Sequence, residues 1–397
     1  MLLMRGLVCF AAVLALCVSA HATNVSNITT TTVPTTQPVS KPTSRAGSPP
    51  DSLRWLNDGL HDLDRQMAKI DPRVTPKAFS PTFYWENDGA YTKIYDPSDR
   101  HYTAGAGLSM QWQSLLSDDL ISSIPSIDNE YASKDPRITY ASGIIASLRI
   151  YTPRDLDNPE PMQDDRPYAG WTYAGPILQR ADRSANTPTM EHFELDLGTM
   201  GPRSQAGYAQ YSVHQTFGAE TPEGWRYQTH DECGADFKYQ RHWRTDLQTD
   251  ADGQPIAQLI PYADTTLGTI HVNASVGAVL RYGVNLPDDF GPSRLDWPGD
   301  FTSPLAGQST DSSIYVFVRP AVRAVAHDAT MGDSFFHDNI VEAEPNPLVF
   351  EIQAGIAVHF TNHVKLTYSQ TFDSLEFEGQ KQWDSYGSLV LSSEWTW

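Results

Sequence analysis

From about residue 78 to the end of the chain, apolar and polar positions alternate with a period of two in long runs. Leu348, Phe350, Ile352, Ala354, Ile356, Val358 and Phe360 share one face, and Val349, Glu351, Gln353, Gly355, Ala357 and His359 share the other. The same alternation runs through 270–281, 314–323 and 138–150. These runs are about 10 to 14 residues long, whereas strands of soluble sheets usually have five or six. A tilted strand that crosses a bilayer needs about 9 to 11. The last nine residues, Leu389 to Trp397, alternate in the same way and finish on an aromatic. A soluble β-sandwich accounts for alternation but not for such lengths or for aromatics at strand ends. The pattern therefore predicts an all-β protein, a transmembrane antiparallel β-barrel.

Candidate strands fall at 78–88, 100–113, 138–151, 169–181, 190–200, 232–246, 255–263, 268–282, 312–326, 347–361, 363–372 and 385–397. Twelve is an even number, as closed single-chain bacterial barrels require. The pair 255–263 and 268–282 is the weakest. It leaves a long connection, 283–311, on the side where turns should be short.

The barrel spans 78–397; the residues before it read differently. Arg5 precedes an apolar run from Gly6 to Val18, and Ser19-Ala20-His21-Ala22 supplies a small-residue cleavage pattern. Residues 1–22 are read as a secretory signal peptide. Cys9 and Cys17 would leave with it, so Cys233 stands alone and no disulfide framework is expected. In 23–50, eight Thr, five Pro and four Ser leave almost nothing that could form a core, which marks a disordered linker. Leu53, Leu56, Leu60, Leu63, Met67 and Ile70 then recur at alternating spacings of three and four. This predicts an amphipathic heptad helix over 51–72, which either serves oligomerisation or packs on the main domain.

Composition narrows the function. A formal net charge of −20 argues against nucleic acid as a partner, because phosphate binding needs a basic face. An exported barrel in a bacterium belongs in the outer membrane. With its N-terminus in the periplasm, the connections 89–99, 152–168 and 201–231 lie at the extracellular rim. Nearly every polar cluster capable of chemistry is in those connections and their flanks.

Four clusters stand out. Glu86-Asn87-Asp88-Gly89 ends the first strand, and Asp99-Arg100-His101-Tyr102-Thr103-Ala104-Gly105 starts the second. An Asn-Asp-Gly run is also ordinary turn chemistry. Asp164-Asp165-Arg166-Pro167-Tyr168-Ala169-Gly170-Trp171 leads into the fourth strand, where an aromatic girdle would look similar. In 204–217, Tyr208, Tyr211, Val213 and Phe217 have near-helical spacing and His214 lies among them. This predicts a short helix in an extracellular rim loop. Such a helix has no core to fill, so His214 is expected to face something other than an interior, although a rim His is also commonly just solvated. Glu220 and Pro222-Glu223-Gly224-Trp225 follow.

Taken in order, Glu86-Asn87-Asp88, Asp99-Arg100-x-Tyr102-Thr103-x-Gly105, Asp165 to Trp171, and Val213-His214 with Pro222-x-Gly224-Trp225 resemble the outer-membrane lipid A 3′-O-deacylase family over about 78–397. The resemblance implies a twelve-stranded barrel with a calcium-dependent esterase site at its outer rim, acting on lipid A or lipopolysaccharide. It implies His214 as base, Glu220 as its acidic partner, Asn87 and Thr103 as further catalytic residues, and Asp88 with Thr103 as Ca²⁺ ligands. Arg166 and Tyr168 correspond to substrate-binding positions, but Asp165 stands where the family's second basic charge is expected.

The chemistry of these residue types agrees with that assignment. Ester hydrolysis needs a base to deprotonate water and a positive or donor site for the developing oxyanion. A neutral imidazole serves as base near pH 7. Calcium prefers oxygen ligands, such as the Asp88 carboxylate and the Thr103 hydroxyl. Two alternatives stay open. One is a phospholipase-type outer-membrane esterase, although no Gly-x-Ser-x-Gly elbow occurs in the rim segments and Ser212 is poorly placed to partner His214. The other is a barrel for adhesion or solute passage without enzymatic activity.

Overall fold

The computed structural model describes residues 78–89, 100–113, 138–183, 187–295, 312–360 and 364–396. The signal peptide, linker and heptad helix expected within 1–72 lie outside the described residues.

One antiparallel sheet contains β1 (Ala78–Asn87), β2 (His101–Gln113), β3 (Ile138–Thr152), β4 (Ala169–Asp182), β5 (Thr189–Met200), β6 (Glu232–Trp243), β7 (Thr245–Thr249), β8 (Pro255–Gly268), β9 (His271–Val284), β10 (Ser313–Asp328), β11 (Leu348–Phe360), β12 (Val364–Asp373), β13 (Asp384–Ser393) and β14 (Trp395–Thr396). Each long strand pairs with its sequence neighbours, and β13 returns to β1 through pairs such as Tyr84↔Val390. The sheet is therefore closed. Twelve strands form the wall. Short β7 extends the ladder on β8, and β14 extends that on β1. The strand expected over 232–246 stops at Trp243 and restarts as β7, while the one expected over 255–263 continues to Gly268.

The alternation decides which side is which. On β11, Phe350 is 53% exposed, while its neighbour Val349 is 1% exposed. The apolar row points out of the barrel. The buried row is rich in charge, including Arg180, Glu191, Lys238, Arg281, Arg319 and Glu351. A protein with its apolar surface outside and its ion pairs inside is built for a lipid solvent. Closure leaves no unpaired strand edge to meet that solvent.

We call the end reached by β1 at Asn87 the upper end; the connections 153–168, 201–231, 329–347 and 374–383 share it. At the lower end, the expected long connection after β9 is not a simple turn, because residues 285–295 run back into the barrel. Asp289 bonds Arg281 and Lys365, and Asp288 bonds Arg183 and Arg244. Phe290 packs with Ala141, Ala181 and Met190, flanked by the guanidinium groups of Arg183 and Arg244. Further along, Arg294 donates to Tyr386 (2.7 Å) and Glu351 (2.8 Å), and the Leu295 N–H donates to Glu86 (3.1 Å). Lumen charges are thereby paired rather than left bare in a low-dielectric interior.

Candidate functional site

Residues 201–231 form the largest upper connection, and its core is the helix α1 (Ala206–Phe217). The helix ends at Gly218, which adopts the left-handed conformation (φ 72°) and donates its N–H to the His214 carbonyl at 2.8 Å. Such a cap closes a helix while turning the chain sharply. The turn brings the Glu220 main-chain carbonyl against His214 Nδ1.

The buried residues of α1 are Ala206, Ala209, Gln210 and His214, one stripe at helical spacing. This reverses the sequence expectation for the helix. The helix does have a surface to pack on, and His214 is only 5% exposed, while Tyr208 and Tyr211 point away. Trp225 supports the stripe, donating from its indole N–H to Gln210 at 2.7 Å.

The surface that receives α1 is the outer face of the wall. Arg149 and Tyr151 of β3 line the lumen, so Leu148, Ile150 and Thr152 belong to the outward row. Lower on that row Ile144 is 51% exposed, yet at the upper end Thr152 is 0% exposed. The change coincides with the packing of α1 against β3 and β4. On β4 the outward residues Gly170 and Thr172 meet the segment leading into α1. The Thr172 hydroxyl donates to the Ser204 carbonyl at 2.7 Å. A Cβ on Gly170 would lie 2.2 Å from Ala206 Cβ and 2.3 Å from Ser204 Oγ, so this close approach requires glycine.

Beside this face, a β-bulge between Tyr102 and Ala104 leaves Thr103 as the extra residue of β2. The Thr103 and Thr152 hydroxyls are hydrogen-bonded at 2.6 Å. The Thr103 carbonyl accepts from Asp88 N–H at 3.1 Å and from Asn87 Nδ2 at 3.0 Å. Buried Asp88 accepts the Arg100 N–H at 2.7 Å. Asn87, Asp88 and Thr103 are thus one hydrogen-bonded unit, with Thr152 as a member that the sequence reading missed. Thr152 is the last residue of an apolar run and gave no signal of its own.

The other expected residues lie elsewhere. Glu220 meets the imidazole through its carbonyl, not its carboxylate, and its side chain is exposed. Arg166 is 1% exposed; it donates to Thr330 at 2.9 Å and lies 4.4 Å above the Tyr151 ring. It faces the barrel mouth instead of an approaching headgroup, because Tyr151 and Glu376 offer it a stacked and paired position there. Tyr168 is buried against Trp225, with ring centroids 5.0 Å apart, and supports the loop rather than presenting a binding face.

Asp165, the residue out of keeping with the resemblance, is paired with His101. His101 Nε2 is hydrogen-bonded to Asp165 at 3.1 Å, and Nδ1 to Asp384. Burial pushes the Asp165 carboxyl up, but the His101 ring and the main-chain N–H groups of Arg154 and Arg166 hold it below its ordinary value. His101 had been read only as the variable position of its block.

The donors around Asp88 and Thr103 are hard oxygens, the set that calcium prefers. Among the described residues, no group of three or more His, Cys, Asp or Glu side chains is disposed to hold a metal ion. Carbonyl oxygens, water or substrate oxygens would therefore have to complete a shell.

With this geometry established, comparison with known proteins gives a consistent result. The family described as outer membrane protein LpxR matches residues 63–395. The fold is similar to that of LpxR from Salmonella typhimurium, with a TM-score of 0.62 at 18% identity, covering 79% of this chain and 99% of that one. The β domain of the Bordetella autotransporter BrkA is more distant, with a TM-score of 0.39 at 10% identity, covering 81% of this chain and 99% of that one. Among curated proteins, no sequence matches significantly.

Proposed function

The chain belongs to the LpxR family of outer membrane proteins, and from that premise we propose that it hydrolyses the 3′ ester-linked acyl or acyloxyacyl chain of lipid A, with His214 as the base. The observation that supports this most is the position of α1. Its buried stripe carries an imidazole onto the outer, lipid-side face of the wall at the upper end. An ester of an outer-leaflet lipid lies just below its headgroup, at the depth of this rim.

A carbonyl only accepts, so the Glu220 contact assigns the proton to His214 Nδ1 and the lone pair to Nε2. Nε2 takes a proton from water, and the water oxygen bonds to the ester carbonyl carbon. The tetrahedral intermediate then breaks its bond to the sugar oxygen, which recovers the proton from Nε2. A fatty acid and a lipid A hydroxyl result. Asn87 acts by bracing Thr103 through its amide. Calcium held by Asp88 and the Thr103 hydroxyl would add positive charge beside the carbonyl oxygen. The protein's acidity, net −20, is also compatible with anionic lipopolysaccharide only where divalent cations stand between them.

Mass spectrometry of lipid A after incubation with purified protein tests the reading. Loss of one ester-linked chain with calcium, and none with chelator, is expected. Acyl loss from phospholipid instead would favour a phospholipase-type esterase. No mass change in either lipid would leave a barrel without this activity.

A further inference from the structure

We propose that His101 is a positioning residue for the rim site, holding Thr103 and Asp88 in place by tying the start of β2 to two upper connections through two carboxylates. The inference rests on the deacylase reading, which supplies the reaction being positioned.

His101 opens β2 with φ 62°, in the left-handed region that a side chain adopts at a cost. Backbone in such a region persists only where its surroundings over-determine it, and functional sites are where it collects. Here the surroundings are unusual. The ring is 3% exposed and each of its nitrogens is hydrogen-bonded to a different carboxylate, Asp165 on one side and Asp384 on the other. The Phe377 ring packs against it in a T-shaped arrangement, with ring centroids 5.1 Å apart at 88°.

Each carboxylate fastens a different connection. Asp165 accepts the N–H groups of Arg154 (2.8 Å) and Arg166 (2.9 Å), closing 154–166 on itself. Asp384 accepts from Gln380 Nε2 at 2.8 Å and from Arg100 Nε at 3.0 Å. Arg100 returns to the site, because its main-chain N–H bonds the Asp88 carboxylate at 2.7 Å. On the other side of His101, Tyr102 donates to Glu86 at 2.6 Å and the bulge that presents Thr103 begins. Arg100 and Tyr102 are thus fixed on either side of one residue, and the only polymer between that residue and Thr103 is Tyr102. A displacement of His101 is passed directly to both oxygen donors of the site.

The test uses the full chain in detergent with lipid A, comparing wild type, His101→Gln, Asp165→Asn and the double variant. A reacting group misplaced by about 1 Å loses on the order of 10²-fold in rate. Each single variant is expected to lower kcat about 10- to 100-fold with KM nearly unchanged. Hydrogen exchange should quicken in both 154–166 and 374–384, and the double variant should be no worse than the poorer single. Quicker exchange with wild-type kcat would reduce His101 to a stabilising contact and overturn the proposal, as would independent, multiplying losses. Should His101→Gln not assemble, Asp165→Asn reads the same link from the opposite loop. If wild type itself leaves lipid A intact, the deacylase reading fails and the positioning claim with it, whereas coupled exchange would still establish the tie between the loops.

Discussion

The contact between Gly170 and the start of α1 provides a sharp perturbation, Gly170→Ala. The added Cβ would lie 2.2 Å from Ala206 Cβ and 2.3 Å from Ser204 Oγ. Carbon atoms pack at about 3.5–4.0 Å, so the start of the helix must retreat by roughly 1.3 Å or more. Rigid translation would carry His214 the same distance. Pivoting about the Gly218 cap would move it by about a third of that, given a rise of about 1.5 Å per residue. Either movement displaces the proposed base, which would have to stay within hydrogen-bond reach of its water, and about 1 Å costs on the order of 10²-fold. We expect a 10- to 100-fold fall in the initial rate of acyl loss, measured by mass spectrometry. Overpacking should cost about 1–3 kcal/mol, confined to the rim. Gly253, in a lower turn at φ 81° with no atom within 4 Å of a Cβ, is the control. Gly253→Ala should strain its backbone by about 1 kcal/mol and leave the rate alone. Wild-type kinetics in Gly170→Ala would refute the argument that the outer wall sets the position of His214.

Two further predictions concern the lower end and the rim. The ion pairs of Asp288 and Asp289 anchor the segment 285–295 to the barrel wall. If this segment closes the lumen, wild type should show no steady conductance in planar bilayers and Asp288→Ala/Asp289→Ala should conduct; an open wild-type channel would contradict that closure. Asp165 has its pKa lowered on folding, so its stabilisation is complete above the unfolded carboxylate value of about 3.9 and is lost as pH falls through the lower folded value. Hydrogen exchange in 154–166 should therefore rise steeply below about pH 4 in wild type, and Asp165→Asn should flatten that rise.

The wall was legible in the sequence because each strand carries its own period-two pattern, and the outward rows of β9, β10 and β11 are nearly uninterrupted. What escaped were features fixed by partners far away in the chain. Nothing local marks Leu295 as a donor to Glu86, or Asp289 as the partner of Lys365. The face of α1 was misjudged for a related reason. A rim helix was expected to have nothing to pack on, but a wall presenting Gly170 accepts Ala206, covers His214 and leaves Tyr208 and Tyr211 outside. At the site, the blocks around Asn87, Asp88 and Thr103 pointed to residues that do come together. Glu220 meets His214 through a main-chain carbonyl that no side-chain pattern could reveal. Asp165 looked like a defect until His101, a position the pattern left unspecified, was seen beside it.

The central claim is that His214 performs the chemistry, and a comparison of wild type with His214→Ala addresses it most directly. Both proteins are refolded into detergent, checked for the mobility shift of an intact barrel, and incubated with lipid A and calcium. Loss of a positioned base costs about 10²–10⁴-fold. The account predicts that wild type removes a single ester-linked chain while the folded variant shows no measurable removal. A folded variant that keeps most of the wild-type rate would contradict it.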